Sequence, residues 1–119
     1  MKIAFASTDG NKIDCHFGCA ENFFVWDVEP GRAKYLESRL AKESEGVEDN
    51  ILLRTKVLED CAIVCMSQIG GPAAAKLVAR HILPMRFEAS EEIVDVIDRL
   101  QRVMRRLPPP WLRKAMAKG

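Results

Sequence analysis

The fold is decided by the stretch Cys61-Ala62-Ile63-Val64-Cys65-Met66-Ser67-Gln68-Ile69-Gly70-Gly71-Pro72-Ala73-Ala74-Ala75. It predicts a buried strand, a turn and the start of a helix. Its first six residues are all apolar, which is typical of a strand covered on both faces in a parallel sheet. The glycines then lead into an alanine-rich segment that predicts a helix from Ala73 to His81, with Pro72 at the first helical position. This unit predicts an α/β fold.

The rest of the chain adds four strands and two helices around this unit. Apolar patterning and turn residues predict five strands in all: Lys2 to Thr8, Phe23 to Val28, Ala33 to Leu40, Cys61 to Met66, and Ile82 to Phe87 at the sheet edge. A first helix, capped by Asp49 or Asn50 after the polar linker 42–48, ends at Glu59 and buries Ile51, Leu52, Val57 and Leu58. A last helix, capped by Ser90, buries a stripe of Ile93, Ile97, Leu100, Met104 and Leu107.

This order of elements predicts one sheet. Three antiparallel strands followed by right-handed crossovers give a five-stranded mixed sheet of order 3-2-1-4-5, flanked by three helices, which is a ribonuclease H-like arrangement. The length of 119 residues suits one compact domain, expected over residues 1–107, followed by a basic tail over 108–119.

Charge is distributed unevenly along the chain. The segment 99–119 contains seven basic residues and no acid, so the remaining residues hold 11 of the 18 bases against 17 acids. A basic helix end favours the helix dipole and accounts for the arginines up to Arg106, but not for the bases beyond the prolines. We therefore expect the C-terminal end to meet a negatively charged partner.

Targeting signals and cysteine use point to the cytoplasm. The apolar run at the start is too short for a signal peptide, and no run approaches the roughly 20 apolar residues that span a bilayer. We therefore expect no membrane association. In the cytoplasm, the four cysteines are expected to be metal ligands, redox groups or core residues rather than disulfides.

Three loops are expected to meet where the carboxyl ends of strands 1 and 4 lie, which we call the His16 edge of the sheet. Strands 1 and 4 should be parallel neighbours, so the loops 7–10 and 67–71 leave the same edge, where open α/β sheets bind ligands. Strand 2 runs the other way, so its entry loop, which contains Cys15, His16 and Cys19, lies at this edge too.

The residue types at this edge suit an anionic metal–sulfur ligand. Imidazole and thiolate are soft ligands, which makes His16, Cys15 and Cys19 candidate metal ligands, with Gly18 allowing the loop to turn tightly. Gly70 and Gly71 offer the backbone N–H groups of a helix start, which bind anions.

The other cysteines and the second histidine are assigned structural roles. Cys61 and Cys65 are expected on one strand face about 13 Å apart, too far to share one ion, and are interpreted as core residues. His81 is interpreted as a helix cap that interacts with carbonyl groups.

Several of these segments resemble the nitrogenase iron–molybdenum cofactor biosynthesis family. The resemblance lies in Lys2-Ile3-Ala4-Phe5-Ala6-Ser7, Asp14-x-His16-Phe17-Gly18-x-Ala20-x-x-Phe23, Ile69-Gly70-Gly71-Pro72-Ala73-Ala74 and the end Pro108-Pro109-Pro110-Trp111-Leu112-Arg113-Lys114. It implies a non-catalytic cytoplasmic protein that binds iron–sulfur precursors of the iron–molybdenum cofactor transiently. It also implies a NifB-type protein as the source and a NifEN-type scaffold as the recipient. The family's cluster-binding histidine falls on His16, whereas Cys15 and Cys19 depart from its motif.

Three other functions are weighed against this carrier. A two-metal nuclease needs clustered carboxylates, but strand 4 ends in Met66-Ser67-Gln68, so we expect no nucleic-acid chemistry. A zinc module using Cys15, His16, Cys19 and Cys65 would have suitable ligands, but their spacing fits no standard paired-cysteine motif. A protein-interaction module is the third alternative.

Overall fold

Five strands and four helices make up the part of the chain that the structure describes. The computed structural model describes residues 1–41 and 47–118. The strands are β1 (Lys2–Ala6), β2 (Asn22–Glu29), β3 (Arg32–Leu40), β4 (Ile63–Met66) and β5 (Leu83–Arg86). The helices are α1 (Val47–Val57), α2 (Gly71–Ala79), α3 (Ile93–Arg105) and α4 (Pro110–Ala117), with a short 3-10 helix at Phe17–Cys19.

The strands form one mixed sheet of order β3-β2-β1-β4-β5, which confirms the predicted order. β1 pairs antiparallel with β2 and parallel with β4, with Phe5 opposite Phe24 on one side and Cys65 on the other. β5 lies at the sheet edge as predicted, with Pro84 beside Val64. The name ribonuclease H-like for this arrangement stays a prediction.

Helices cover both faces of the sheet because its central strands are apolar on both sides. One apolar cluster joins Ile3, Phe5, Ile63 and Cys65 of the strands to α3 and α4. The other joins Ala4, Ala6, Val64 and Met66 to α1 and α2. β1 and β4 are therefore sandwiched between two helical layers, as the unbroken apolar run 61–66 indicated.

Helix boundaries differ from prediction at three places. α1 already begins at Val47, so neither Asp49 nor Asn50 is its cap; residues 42–46 of the expected linker lie outside the described residues. α3 begins at Ile93 with Glu92 as its N-cap residue, not Ser90, because the backbone from Glu88 to Glu91 forms a turn first. The tail prolines permit a fourth helix, since Pro110 is at the first position of α4.

Burial also departs from the expected pattern in both outer helices. Ile51 of α1 and Leu58 just after it are buried as expected, but Leu52 is 40% exposed and Arg54 is fully buried on the inward face. Leu107 is 89% exposed because α3 ends at Arg105. Leu112 of α4 is fully buried in the same apolar cluster as α3. The division into a domain ending at residue 107 and a separate tail stays a prediction.

Cys61 and Cys65 do not share a face of the sheet, which corrects the expectation. Both are buried as core residues, but Cys61 lies in the α1–α2 cluster and Cys65 in the α3–α4 cluster. The alternation fails because β4 begins only at Ile63, so Cys61 is not part of the strand.

None of the helices in the described ranges is long and apolar enough to cross a bilayer.

Candidate functional site

The three predicted loops meet at the carboxyl ends of β1 and β4. The backbone from Cys15 to Phe17 runs beside the chain that leaves β4. Ser67 N donates to Cys15 O at 2.9 Å, and Phe17 N donates to Gln68 O at 2.8 Å. On the other side, Cys15 N donates to Ala6 O at 3.4 Å. His16 is therefore held between hydrogen bonds on both sides, in a parallel bridge with Gln68.

Two aspartates order the loop that precedes His16. Asp14 accepts hydrogen bonds from Thr8 N at 2.9 Å and from Thr8 Oγ1 at 2.6 Å. Burial alone would raise the pKa of Asp14, but these bonds from Thr8 outweigh it and lower that pKa. Asp9 accepts from Asn11 N and Lys12 N at 2.8 and 3.2 Å, which likewise lowers its pKa. Both carboxylates thus serve as acceptors for the loop backbone.

The His16 side chain is exposed at this edge, while its neighbour anchors the loop. Phe17 is buried and packs against Phe23 of β2 at a ring-centroid distance of 5.7 Å. Cys19 N donates to His16 O at 3.2 Å, which closes the 3-10 helix. A rigid backbone thus presents an imidazole to solvent, where it can bind a metal without being pulled out of the core.

The flanking thiols lie in different environments. Cys15 is half-buried, with its Sγ 3.8 Å from Asp14 Oδ1. Burial, followed by the charge of Asp14, raises the pKa of the Cys15 thiol to about 11. Cys19 is exposed. At neutral pH the Cys15 thiol is therefore protonated, and a metal would have to displace its proton.

Among the described side chains, those of residues 1–41 and 50–118, no group of three His, Cys, Asp or Glu could hold one metal ion. Cys65, the fourth ligand of the zinc alternative, is fully buried in the α3–α4 cluster, and burial raises the pKa of its thiol. Cys61 is buried as well, and burial raises the pKa of its thiol to about 12. This geometry disfavours the four-ligand zinc module.

A cavity of about 310 Å³ opens beside the His16 loop. It brings together three of the six predicted site residues, Gly18, Cys19 and Gly70, whereas His16, Cys15 and Gly71 are not part of its lining. The first turn of α2 forms one wall, and its N-cap residue Gly70 makes no side-chain cap. Pro72 is at the second helical position rather than the first.

Arg54 of α1 forms part of the opposite wall of this cavity and was missed by the sequence analysis. Its side chain is fully buried, and Nη2 donates to Ala20 O at 2.9 Å, next to the 3-10 helix. No sequence signal marked it, since an arginine in a helix is ordinarily expected to face solvent. Its buried guanidinium connects α1 to the end of the His16 loop.

His81 lies at the far end of α2, away from this edge. It has a positive φ of 61°. His81 N donates to Val78 O at 3.0 Å and Ile82 N donates to Leu77 O at 2.9 Å. This pattern of two hydrogen bonds ends a helix at a left-handed residue. The predicted cap is thus made by the backbone of His81.

Comparison with known proteins gives consistent matches over the whole chain. A family model described as "Dinitrogenase iron-molybdenum cofactor" matches residues 1–103. The chain is 36% identical to the NifX protein of Herbaspirillum seropedicae over 122 residues, which covers 100% of this chain and 84% of that protein. It is 34% identical to the NifY protein of Azotobacter vinelandii, covering 98% of this chain but 48% of that protein.

A solved structure supports the fold. The crystal structure of PH0822 superposes with a TM-score of 0.64 and 21% sequence identity, covering 93% of this chain and 98% of that one. At this identity the likeness concerns the fold alone.

Proposed function

Since this chain belongs to the dinitrogenase iron–molybdenum cofactor family, whose NifX-type and NifY-type members take part in cofactor biosynthesis for nitrogen fixation, we propose that it carries an iron–sulfur precursor of that cofactor. The carrier binds the precursor transiently and delivers it to the scaffold on which the cofactor is completed. It acts by binding and release and catalyses no reaction.

The observation that supports this proposal most strongly is the placement of His16. Its imidazole is exposed on a backbone fixed by hydrogen bonds to both sides, at the edge where open α/β sheets bind ligands. Imidazole binds iron, and a single exposed imidazole leaves the other positions of a cluster free for the next protein. A cage of several thiolates would hold the same cluster far more firmly.

Positive electrostatic potential beside the loop suits an anionic cluster. Gly70, Pro72 and Ala73 at the start of α2 line the cavity, so the positive end of the helix dipole lies at its wall. Arg54 places a permanently protonated guanidinium in the opposite wall. A Cβ added at Gly18 would meet nothing within 4 Å, so the space beside this part of the cavity wall is open.

The two thiols are assigned different roles in this proposal. Cys19 is exposed on the cavity wall, so it is the better second ligand for the precursor. Cys15 binds only where the cluster can displace the proton held by its raised pKa of about 11. We propose a NifB-type protein as the source of the precursor and a NifEN-type protein as the recipient. We also propose that the fold is ribonuclease H-like.

Substitution of His16 tests the carrier role directly. We expect His16→Ala to weaken binding of an isolated iron–sulfur precursor at least tenfold, which is about 1.4 kcal/mol, because one metal–ligand bond is lost. Binding is measured anaerobically from the visible absorption of the cluster and from the iron retained after gel filtration. His81→Asn is the matched control, since asparagine tolerates the left-handed backbone at that position and His81 is far from the site.

Unchanged affinity in His16→Ala would rule out this histidine as a ligand. Metal analysis of the anaerobically purified protein separates the alternatives further: iron with sulfide supports the carrier, and stoichiometric zinc without iron contradicts it.

A further inference from the structure

A second and larger cavity lies at the other end of the strands, where β4 and β5 begin. It is a groove of about 620 Å³ between the end of α2 and α4, twice the volume of the cavity beside His16. Its floor is formed by Ala62, just before β4, and by Ile82, just before β5. Because these strands leave toward the His16 edge, the groove is separated from the proposed cluster site by the length of the sheet.

Apolar side chains remain exposed along this groove. Val78 of α2 is 58% exposed and Trp111 of α4 is 41% exposed, on opposite walls. Ala62 and Ile82 between them are buried. A half-open apolar groove flanked by two helices is the shape that receives a helical or extended peptide, and tryptophan is among the residues that contribute most to such interfaces.

The charged side chains of the groove are all basic: Arg80, Lys114 and Lys118. Lys118 Nζ donates to Arg80 O and His81 O at 3.2 and 3.1 Å, so its charge is directed at the negative end of α2. Arg80 lies 3.9 Å from Glu59 in a solvent-exposed pair, which holds it weakly. Lys114 stands one helical turn after Trp111, on the same wall.

We propose that this groove between α2 and α4 docks an acidic peptide segment of a partner protein through an apolar side chain seated between Val78 and Trp111. The acidic residues of that segment lie against Lys114 and Arg80. Docking here leaves the His16 edge free. The carrier can therefore be held by a partner while its cargo site faces elsewhere.

A selection with random peptides tests this inference on the full chain. Twelve-residue peptides displayed on phage are selected against the immobilised protein, and the enriched peptides are synthesised and measured by fluorescence anisotropy. We expect enriched peptides to combine acidic residues with a large apolar residue. Trp111→Ala should weaken the binding of these peptides about tenfold or more. Arg32→Glu, a change of charge at the exposed first residue of β3, should leave the affinity of the peptides unchanged.

Charge reversal provides a second and independent readout. Lys114→Glu alters a surface side chain and should shift a repeated selection from acidic toward basic peptides. Enrichment without acidic bias, no enrichment above the blank support, or parent-like affinity for the acidic peptides in both Trp111→Ala and Lys114→Glu would each overturn the proposal. Sedimentation with anionic phosphatidylserine vesicles that depends on Trp111 would also overturn it, by making the groove a lipid contact. His16→Ala should leave peptide binding intact, so failure of the carrier role is distinguishable from failure of this one.

Discussion

Leucine-to-alanine substitutions five residues apart test whether α4 is part of the core. Leu112 is fully buried in the apolar cluster of α3, whereas Leu107 is 89% exposed. Leu112→Ala removes three buried carbon groups at about 0.8 kcal/mol each, which gives roughly 2.4 kcal/mol from transfer alone. Incomplete collapse of the space left behind brings the expected loss of unfolding free energy to about 3 kcal/mol.

Urea unfolding followed by circular dichroism measures this difference. With a slope of about 2 kcal/mol per molar urea, Leu112→Ala should lower the midpoint by about 1.5 M. Leu107→Ala has the same chemistry but should change the free energy of unfolding by less than about 0.5 kcal/mol. Equal midpoints for the two variants, or a loss below about 1 kcal/mol for Leu112→Ala, would refute the packing of α4 as a component of the core.

Two further predictions concern titratable groups. Arg39 Nη2 lies 3.0 Å from Asp60 Oδ2, and this contact lowers the pKa of the Asp60 carboxyl. The ion pair therefore stabilises the fold fully above the unfolded-state pKa of about 3.9, and this stabilisation is lost as the pH falls through the lower pKa of the folded state. At pH 7 the free energy of unfolding of Asp60→Asn should be lower than that of the parent by up to about 1 kcal/mol, since the pair is partly exposed. This difference should shrink toward pH 2, and a difference that does not change with pH would contradict the prediction. Mass spectrometry after brief N-ethylmaleimide treatment at pH 7.5 should find Cys19 modified first, Cys15 slowly because its pKa is about 11, and buried Cys65 unmodified until unfolding. Rapid modification of Cys65 in the folded protein would contradict its burial.

Much of the sheet could be predicted because its signals are local. The apolar run around Ile63 and Val64 reads as a central strand whatever lies around it, and turn residues such as Pro30 and Gly31 mark the hairpin of β2 and β3. Chain order and the handedness of crossovers then leave few sheet arrangements. The convergence of the loops on His16 follows from that topology alone, and hydrogen bonds from Ser67 and to Gln68 confirm it.

Helix ends and some individual buried positions could not be predicted as well, because packing decides them. Leu107 continues the apolar stripe of α3 in sequence, yet α3 stops at Arg105 and leaves it in solvent. Leu52 of α1 is exposed, whereas Arg54 is buried and its guanidinium donates a hydrogen bond to Ala20 O. The sequence around an arginine does not show that a distant carbonyl group will accept its hydrogen bond.

The sequence by itself determined the family, the order of the strands and the edge at which His16 lies, since these depend on motif, periodicity and chain direction. Only the tertiary structure decided that Arg54 lines the cavity beside the His16 loop and that Trp111 and Lys114 line a second groove. Those placements depend on which residues distant in the chain become neighbours. Residue identity sets how much free energy a side chain can gain by burial, but the neighbours decide whether it is buried at all.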